Sequence, residues 1–311
     1  MMKKIKYSLL LVCGLTLVGC SEPSSIERWI DNPTNNEIKV TIDGNEVTIP
    51  AKSGVNYTFE YGKHTLSYNN DSFDFIVKPA KFAESGFINP TQSNYLLHTV
   101  VYTTSNMDNK EYDKVIEKEL NRIPVIINGQ ASEIELPVKI INDVFIERSN
   151  YRWSYSVDQP FPEEITQNLN LKKHQTYYER FKKLYRESDF IDYLKQDEVQ
   201  EEISFPSHPK KFIDITQYVI PNIDLNSIKC EEGRQYMKKL LDDWNHLYTL
   251  KGSDFVKSFN KLGTDDAVVQ GYASEKKCTN DNDPDRSYHK TLGQFLNAIR
   301  DARDVNFYVI K

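Results

Sequence analysis

With 311 residues, 39% apolar and 12% aromatic, the chain is long enough for more than one core and too aromatic for a disordered polymer, while its 27% charged residues exclude a multi-span membrane protein. The 39 Lys and Arg against 45 Asp and Glu give a formal charge of −6. No dense basic run follows the first residues, which argues against nucleic acid as a partner. The first element in chain order is a leader: Lys3, Lys4 and Lys6 precede an apolar stretch from Tyr7 to Val18. At ~1.5 Å per residue that stretch falls short of a hydrocarbon core of ~30 Å, so residues 1–19 are expected to be a signal peptide.

The leader closes with Leu17-Val18-Gly19-Cys20, which resembles the lipobox of bacterial lipoproteins. The resemblance implies cleavage between Gly19 and Cys20, a thioether-linked diacylglycerol on the Cys20 sulfur, and a further acyl chain on the new amino terminus. One chain holds a protein marginally; two or more hold it stably. Ser21, where an Asp would mark inner-membrane retention in Gram-negative families, resembles an outer-membrane address facing the periplasm. Residues 20–28 then read as a lipidated tether, and loss of the three leader lysines takes the formal charge from −6 to −9.

From Trp29 to Tyr102 the pattern alternates, with Ile38–Ile42, Val47–Ile49, Tyr57–Phe59, His64–Tyr68 and Phe73–Val77 as expected strands. Asp43-Gly44 is a hairpin signal, because both positions accept positive φ. Short strands at this spacing predict an antiparallel β-sandwich. The pair Ile42-Asp43-Gly44 and Tyr61-Gly62-Lys63-His64-Thr65-Leu66 resembles PEGA-type surface modules of bacterial envelope proteins over some forty residues. That resemblance speaks to fold more than to function.

Val125-Ile126-Ile127-Asn128-Gly129 with Ile134-Glu135-Leu136-Pro137 echoes the first hairpin, so residues 29–160 hold one or two small β modules. Between the hairpins, 108–121 carries helical spacing, and 138–157 returns to strand character before Pro160 and Pro162. Beyond the break, 161–311 is expected to be mostly helical. Its helices are expected at 174–196, through Met237, Leu240, Trp244 and Leu247 to Gly252, and at 287–304, ahead of a terminal strand over Val305–Ile310. The fold class is therefore α+β, with β structure first and helices second.

Removing Cys13 with the leader and acylating Cys20 leaves Cys230 and Cys278 as an even pair, for which a disulfide is the default in an exported protein and two buried thiols the alternative. No HExxH, GxSxG, SxxK or glycine-rich phosphate loop occurs, so no cofactor is implied and no catalytic residue stands out. Asp281, Asp283 and Asp285 are calcium candidates whose spacing fails the loop rule, since Arg286 and Leu292 stand where glycine and glutamate belong; an acidic turn before a helix accounts for them better. Tyr151, Trp153 and Tyr155 alternate as if on one strand face and could stack on a glycan or peptide, although such rings more often cover a core. Lys172-Lys173 and Lys182-Lys183 suggest a solvated basic face. The expected function is that of a lipid-anchored envelope protein that binds an envelope protein or glycan, immunity-type proteins being one such class. The alternative is an envelope hydrolase whose site is assembled only by the fold.

Overall fold

The computed structural model describes residues 23–80, 85–165, 175–196, 201–219, 222–262 and 265–310. The expected leader, with Cys20, lies outside the described residues. The chain begins with strand β1 (Ser25–Asn32), the hairpin β2 (Ile38–Ile42) and β3 (Asn45–Ile49), then β4 (Ser53–Glu60), β5 (Gly62–Tyr68) and β6 (Asp71–Val77). All five alternating runs fall inside these strands. Asp43 and Gly44 adopt φ of 51° and 81°, the positive values that a two-residue hairpin turn with the right twist demands. Ser25–Arg28, expected in the tether, pair with Tyr57–Glu60 as part of β1.

Next come β7 (Gly86–Ile88), the long β8 (Tyr95–Thr103), helix α1 (Asn109–Glu117), the hairpin β9 (Asn121–Ile127) and β10 (Gln130–Leu136), then β11 (Val138–Ile141), β12 (Phe145–Glu147) and a single helical turn, α2 (Arg148–Tyr151). Asp108 caps α1 by accepting the Glu111 N–H at 2.8 Å. The second hairpin repeats the first turn's geometry, with Asn128 at φ 49° and Gly129 at φ 77°. The chain continues through β13 (Tyr178–Arg186), α3 (Glu187–Lys195) and β14 (Ile203–Ser204), and becomes helical at α4 (Glu231–Leu247), α5 (Gly252–Leu262), α6 (Asp265–Glu275) and α7 (Ser287–Asp301), ending with β15 (Phe307–Ile310).

Two expectations are corrected here. The segment read as a helix over 174–196 is strand β13 followed by the short helix α3, with His174 outside the described residues. Strand β8 is buried and already pairs with β11 on one edge; its other edge needs a partner for its N–H and C=O groups, and β13 supplies nine antiparallel positions. Helix starts only at Glu187, where Glu187 and Asp189 place acid in the first turn. The strand expected over 138–157 likewise stops at Glu147. That carboxylate turns inward to accept the Asn306 and Phe307 N–H groups, and Arg152, at φ 54°, takes the chain out of extended geometry. Beyond Pro160 strands β13 and β14 accompany α3 before the run of helices α4 to α7, and the class is α+β, with strands mostly first and helices mostly last.

The sheets stack in layers. A four-stranded sheet, β12-β7-β1-β4, faces a five-stranded one, β15-β6-β5-β2-β3, as a sandwich. Phe59 and Phe145 from the first interleave with Phe73, Phe75 and Phe307 from the second, with Phe145 stacked 4.7 Å from Phe307. On the far side of the four-stranded sheet lies β11-β8-β13: Tyr95 and Leu97 turn toward Phe87 and Ile146, while Leu96 turns toward Ile123, Val125 and Phe190. Period two along β8 thus feeds two cores from one strand.

Helices α4, α5 and α7 join the sandwich core through Met237, Leu247, Phe255 and Leu292. The chain between α4 and α5 closes on the β4–β5 turn, where the Gly252 N–H donates to the Tyr61 carbonyl at 2.7 Å. At Gly62, with φ 134°, a Cβ would sit 2.6 Å from the Leu250 carbonyl oxygen, so the approach needs glycine.

Candidate functional site

The apolar stripes of α4 and α7 are wide enough to bury one face each, and the two helices leave a hollow between them. Strand β15 forms its floor: Phe307 points into the sandwich, and the next residue, Tyr308, points the other way and lines the hollow. The cavity measures about 630 Å³, and its walls include Leu240, Trp244, Phe259, Phe295 and Leu296. Rings meet edge to face around it, Trp244 lying 5.9 Å from Phe295 and 6.2 Å from Phe259. Gly293 opens one side, since a Cβ built there meets nothing within 4 Å.

Polar groups interrupt the apolar walls, with Asn260, Asn297, Tyr236 and Tyr272 among them. The buried Trp244 Nε1 donor has no hydrogen-bond partner among the described residues. Burial raises the Tyr308 phenol well above its ordinary range, with the neighbouring Tyr248 adding to the shift. Lys78, Arg300 and Arg303 line the cavity, and no carboxylate or imidazole does so among the described residues. The Lys78 ammonium is buried and donates to the carbonyls of Val305 at 2.6 Å and Arg303 at 3.2 Å; burial lowers it to about 8, against the pull of Glu147 and Asp304. Arg300 and Arg303 each have a neighbouring carboxylate, Asp301 at 3.7 Å and Asp304 at 3.9 Å, in exposed pairs of small energetic weight.

The residues singled out from the sequence lie elsewhere. Cys230 and Cys278 are bonded to each other with Cα atoms 5.5 Å apart, tying the start of α4 to the chain beyond α6. Asp283 is buried and spends its oxygens on α7, accepting the Ser287 and Tyr288 N–H groups at 2.9 and 3.0 Å. Asp285 pairs with Lys229, and no group of three or more His, Cys, Asp or Glu placed to hold a metal occurs among the described residues. The acidic turn is thus a helix cap.

Tyr151, Trp153 and Tyr155 do not share a strand face. Tyr151 ends α2 and donates its hydroxyl to Asp143, Trp153 is buried with Phe87 and Tyr95, and Tyr155 packs edge-on to Phe161 at 5.0 Å. Lys172 and Lys173 lie outside the described residues. Lys183 is no solvated cation: its buried ammonium donates to the carbonyls of Ser156, Val157 and Gln159, and burial lowers it to about 8.

The cavity residues were visible to sequence reasoning only as core. Trp244, Phe295 and Leu296 sit on apolar stripes that read as packing, and nothing local distinguishes a stripe that meets its partner from one that stops short. The signals present were Gly293 within the stripe of α7 and the spacing of Arg300 and Arg303 at its end. No family model, curated protein or solved structure matches the chain.

Proposed function

We propose that the chain is a lipid-anchored protein of the bacterial cell envelope, held through Cys20 at the outer membrane and facing the periplasm, that acts by binding and uses the cavity between α4, α7 and β15 as its ligand site. The cavity carries the reading. Its volume of about 630 Å³ falls in the ~300–1,000 Å³ range of small-molecule sites, and apolar walls with a few polar groups are what such sites use for affinity and orientation. The lipobox-like Leu17-Val18-Gly19-Cys20 and the PEGA-like hairpin support the envelope address. The lining supports binding over hydrolysis, because Trp244 and Tyr308 offer hydrogen bonds whereas a general base would have to come from outside the described lining.

Two measurements test this. Cys20→Ser should move the protein out of the membrane fraction, and unchanged fractionation would end the anchoring claim. Native mass spectrometry of protein taken from the envelope should show a small-molecule adduct that Gly293→Phe, which puts a ring at the open side of the cavity, removes. Identical spectra for the two proteins would end the claim that the cavity is the ligand site.

A further inference from the structure

The geometry points to an anionic amphiphile with a single hydrocarbon chain as the ligand: the chain lies along Trp244, Phe259 and Phe295, and the charged head meets Arg300 and Arg303. This rests on the cavity being the ligand site and adds the chemistry of what enters it.

Size limits the chain count. A methylene group is close to a water molecule in volume, ~30 Å³, so about 630 Å³ admits on the order of twenty such groups, enough for one lipid-length chain. The walls agree, since Leu240, Leu296 and three aromatic side chains line the cavity.

Charge selects the head. The protein as a whole is negative, yet among the described residues the ionisable side chains able to carry full charge on the lining are Lys78, Arg300 and Arg303. Lys78 does not reach for the ligand. Its ammonium occupies the carbonyl oxygens of Arg303 and Val305, which would otherwise present negative dipoles to an incoming anion. Arg300 and Arg303 remain, each paired among the described residues with an aspartate at 3.7 Å or beyond, and a guanidinium suits either a carboxylate or a phosphate. The Trp244 Nε1 donor, buried and unpartnered among the described residues, gives a second polar contact inside the lining.

The test is competition against a fluorescent polyene fatty acid bound to the full chain carrying Cys20→Ser, which keeps the protein's own acyl groups out of the assay. Palmitate and lysophosphatidylglycerol should displace the probe at least tenfold more effectively than hexadecanol and lysophosphatidylcholine. Their order relative to each other reports whether the natural anion is a free carboxylate or a lipid phosphate. In the double variant Arg300→Gln, Arg303→Gln, the advantage of palmitate over hexadecanol should fall to near unity. In Gly293→Phe, with an unchanged melting temperature, probe affinity should fall at least tenfold. Equal displacement by hexadecanol and palmitate would overturn the anionic head and leave the cavity standing. Unchanged probe binding in folded Gly293→Phe, or no probe binding to the parent, would overturn the cavity itself.

Discussion

The Nδ1 atom of His64 lies 2.6 Å from Oδ2 of Asp43, joining the first hairpin turn to strand β5. The other ring nitrogen is 2.7 Å from the Glu60 carbonyl oxygen, and the second oxygen of Asp43 accepts the Thr65 N–H at 2.9 Å. The imidazole is buried edge-on against Phe59. A hydrogen bond to a charged group contributes ~1.5–3 kcal/mol. A double-mutant cycle of Asp43→Ala and His64→Ala, followed by urea denaturation, is therefore expected to give a coupling of roughly 1–3 kcal/mol. Additive losses would show that the two side chains merely lie side by side.

That contact also shows what was legible and what was not. The turn at Asp43-Gly44 and the strand around His64 were readable from local chemistry, and so were α1, α4, α7 and the closing strand β15. The tie between Asp43 and His64 was not, because two separate motifs say nothing about facing each other. Strand β13 reads as a helix in the sequence for a related reason. Tyr177, Phe181 and Leu184 fit a helical face as well as a strand, and only the unfilled edge of β8, a fact of tertiary structure, decides between them. Buried charge was equally silent: Glu147, Lys78, Lys183 and Arg186 look like ordinary surface residues until the fold encloses them. Of the candidate site, the walls were legible as apolar stripes, and the space between them was not.

The bridge between Cys230 and Cys278 spans 48 residues and encloses α4, α5 and α6. Closing a loop of that size stabilises by ~4 kcal/mol in the chain-entropy model. Packing around it is tight, since a Cβ on Gly233 would lie 2.5 Å from the Tyr288 ring and 2.9 Å from the Cys278 sulfur. Reduction, or Cys230→Ser with Cys278→Ser, is expected to lower the urea midpoint by an amount equivalent to a few kcal/mol, and Gly233→Ala to lower it without touching the bond. A midpoint indifferent to reductant would refute the stabilising role.

Arg186 on β13 grips Asp31 on β1 with two parallel bonds of 2.9 and 2.7 Å, and Asp158 takes a further guanidinium N–H at 2.7 Å. Trp29 and Tyr95 donate to the same Asp31 carboxylate. Burial opposes the Arg186 charge, but the bonds to Asp31 and Asp158 outweigh it and raise the pKa. Removing one partner of such a pair leaves an uncompensated buried charge, at a cost of ~3–5 kcal/mol. Asp31→Asn should therefore lower stability far more than Asp158→Asn, whose parent carboxylate is exposed. Comparable melting temperatures for the two variants would contradict that ranking.

Glu147 carries the pH dependence. Burial raises its carboxyl from 4.5 to about 7, although the N–H groups of Asn306 and Phe307 and the cations Arg28 and Lys78 favour the charged form. A carboxyl whose folded pKa exceeds its unfolded value binds a proton on folding between the two, so its contribution is full below pH 4.5 and is lost as pH rises to about 7. The shift corresponds to roughly 3 kcal/mol. His98 acts in the same window with the opposite sign: burial lowers it from 6.5 to about 4, so its contribution is present above 6.5 and lost toward 4. The parent's stability should thus change little between pH 4.5 and 7, because one loss offsets the other. Glu147→Gln removes only the carboxyl, so its melting temperature relative to the parent should climb steadily from pH 4.5 to 7 as the parent acquires a buried charge that the variant lacks. Lys78, lowered from 10.5 to about 8, titrates above this window and does not blur the comparison. A difference between the two proteins that stays constant with pH would mean that the carboxyl ionises in its ordinary range, and that the β12–β15 junction tolerates the charge it encloses.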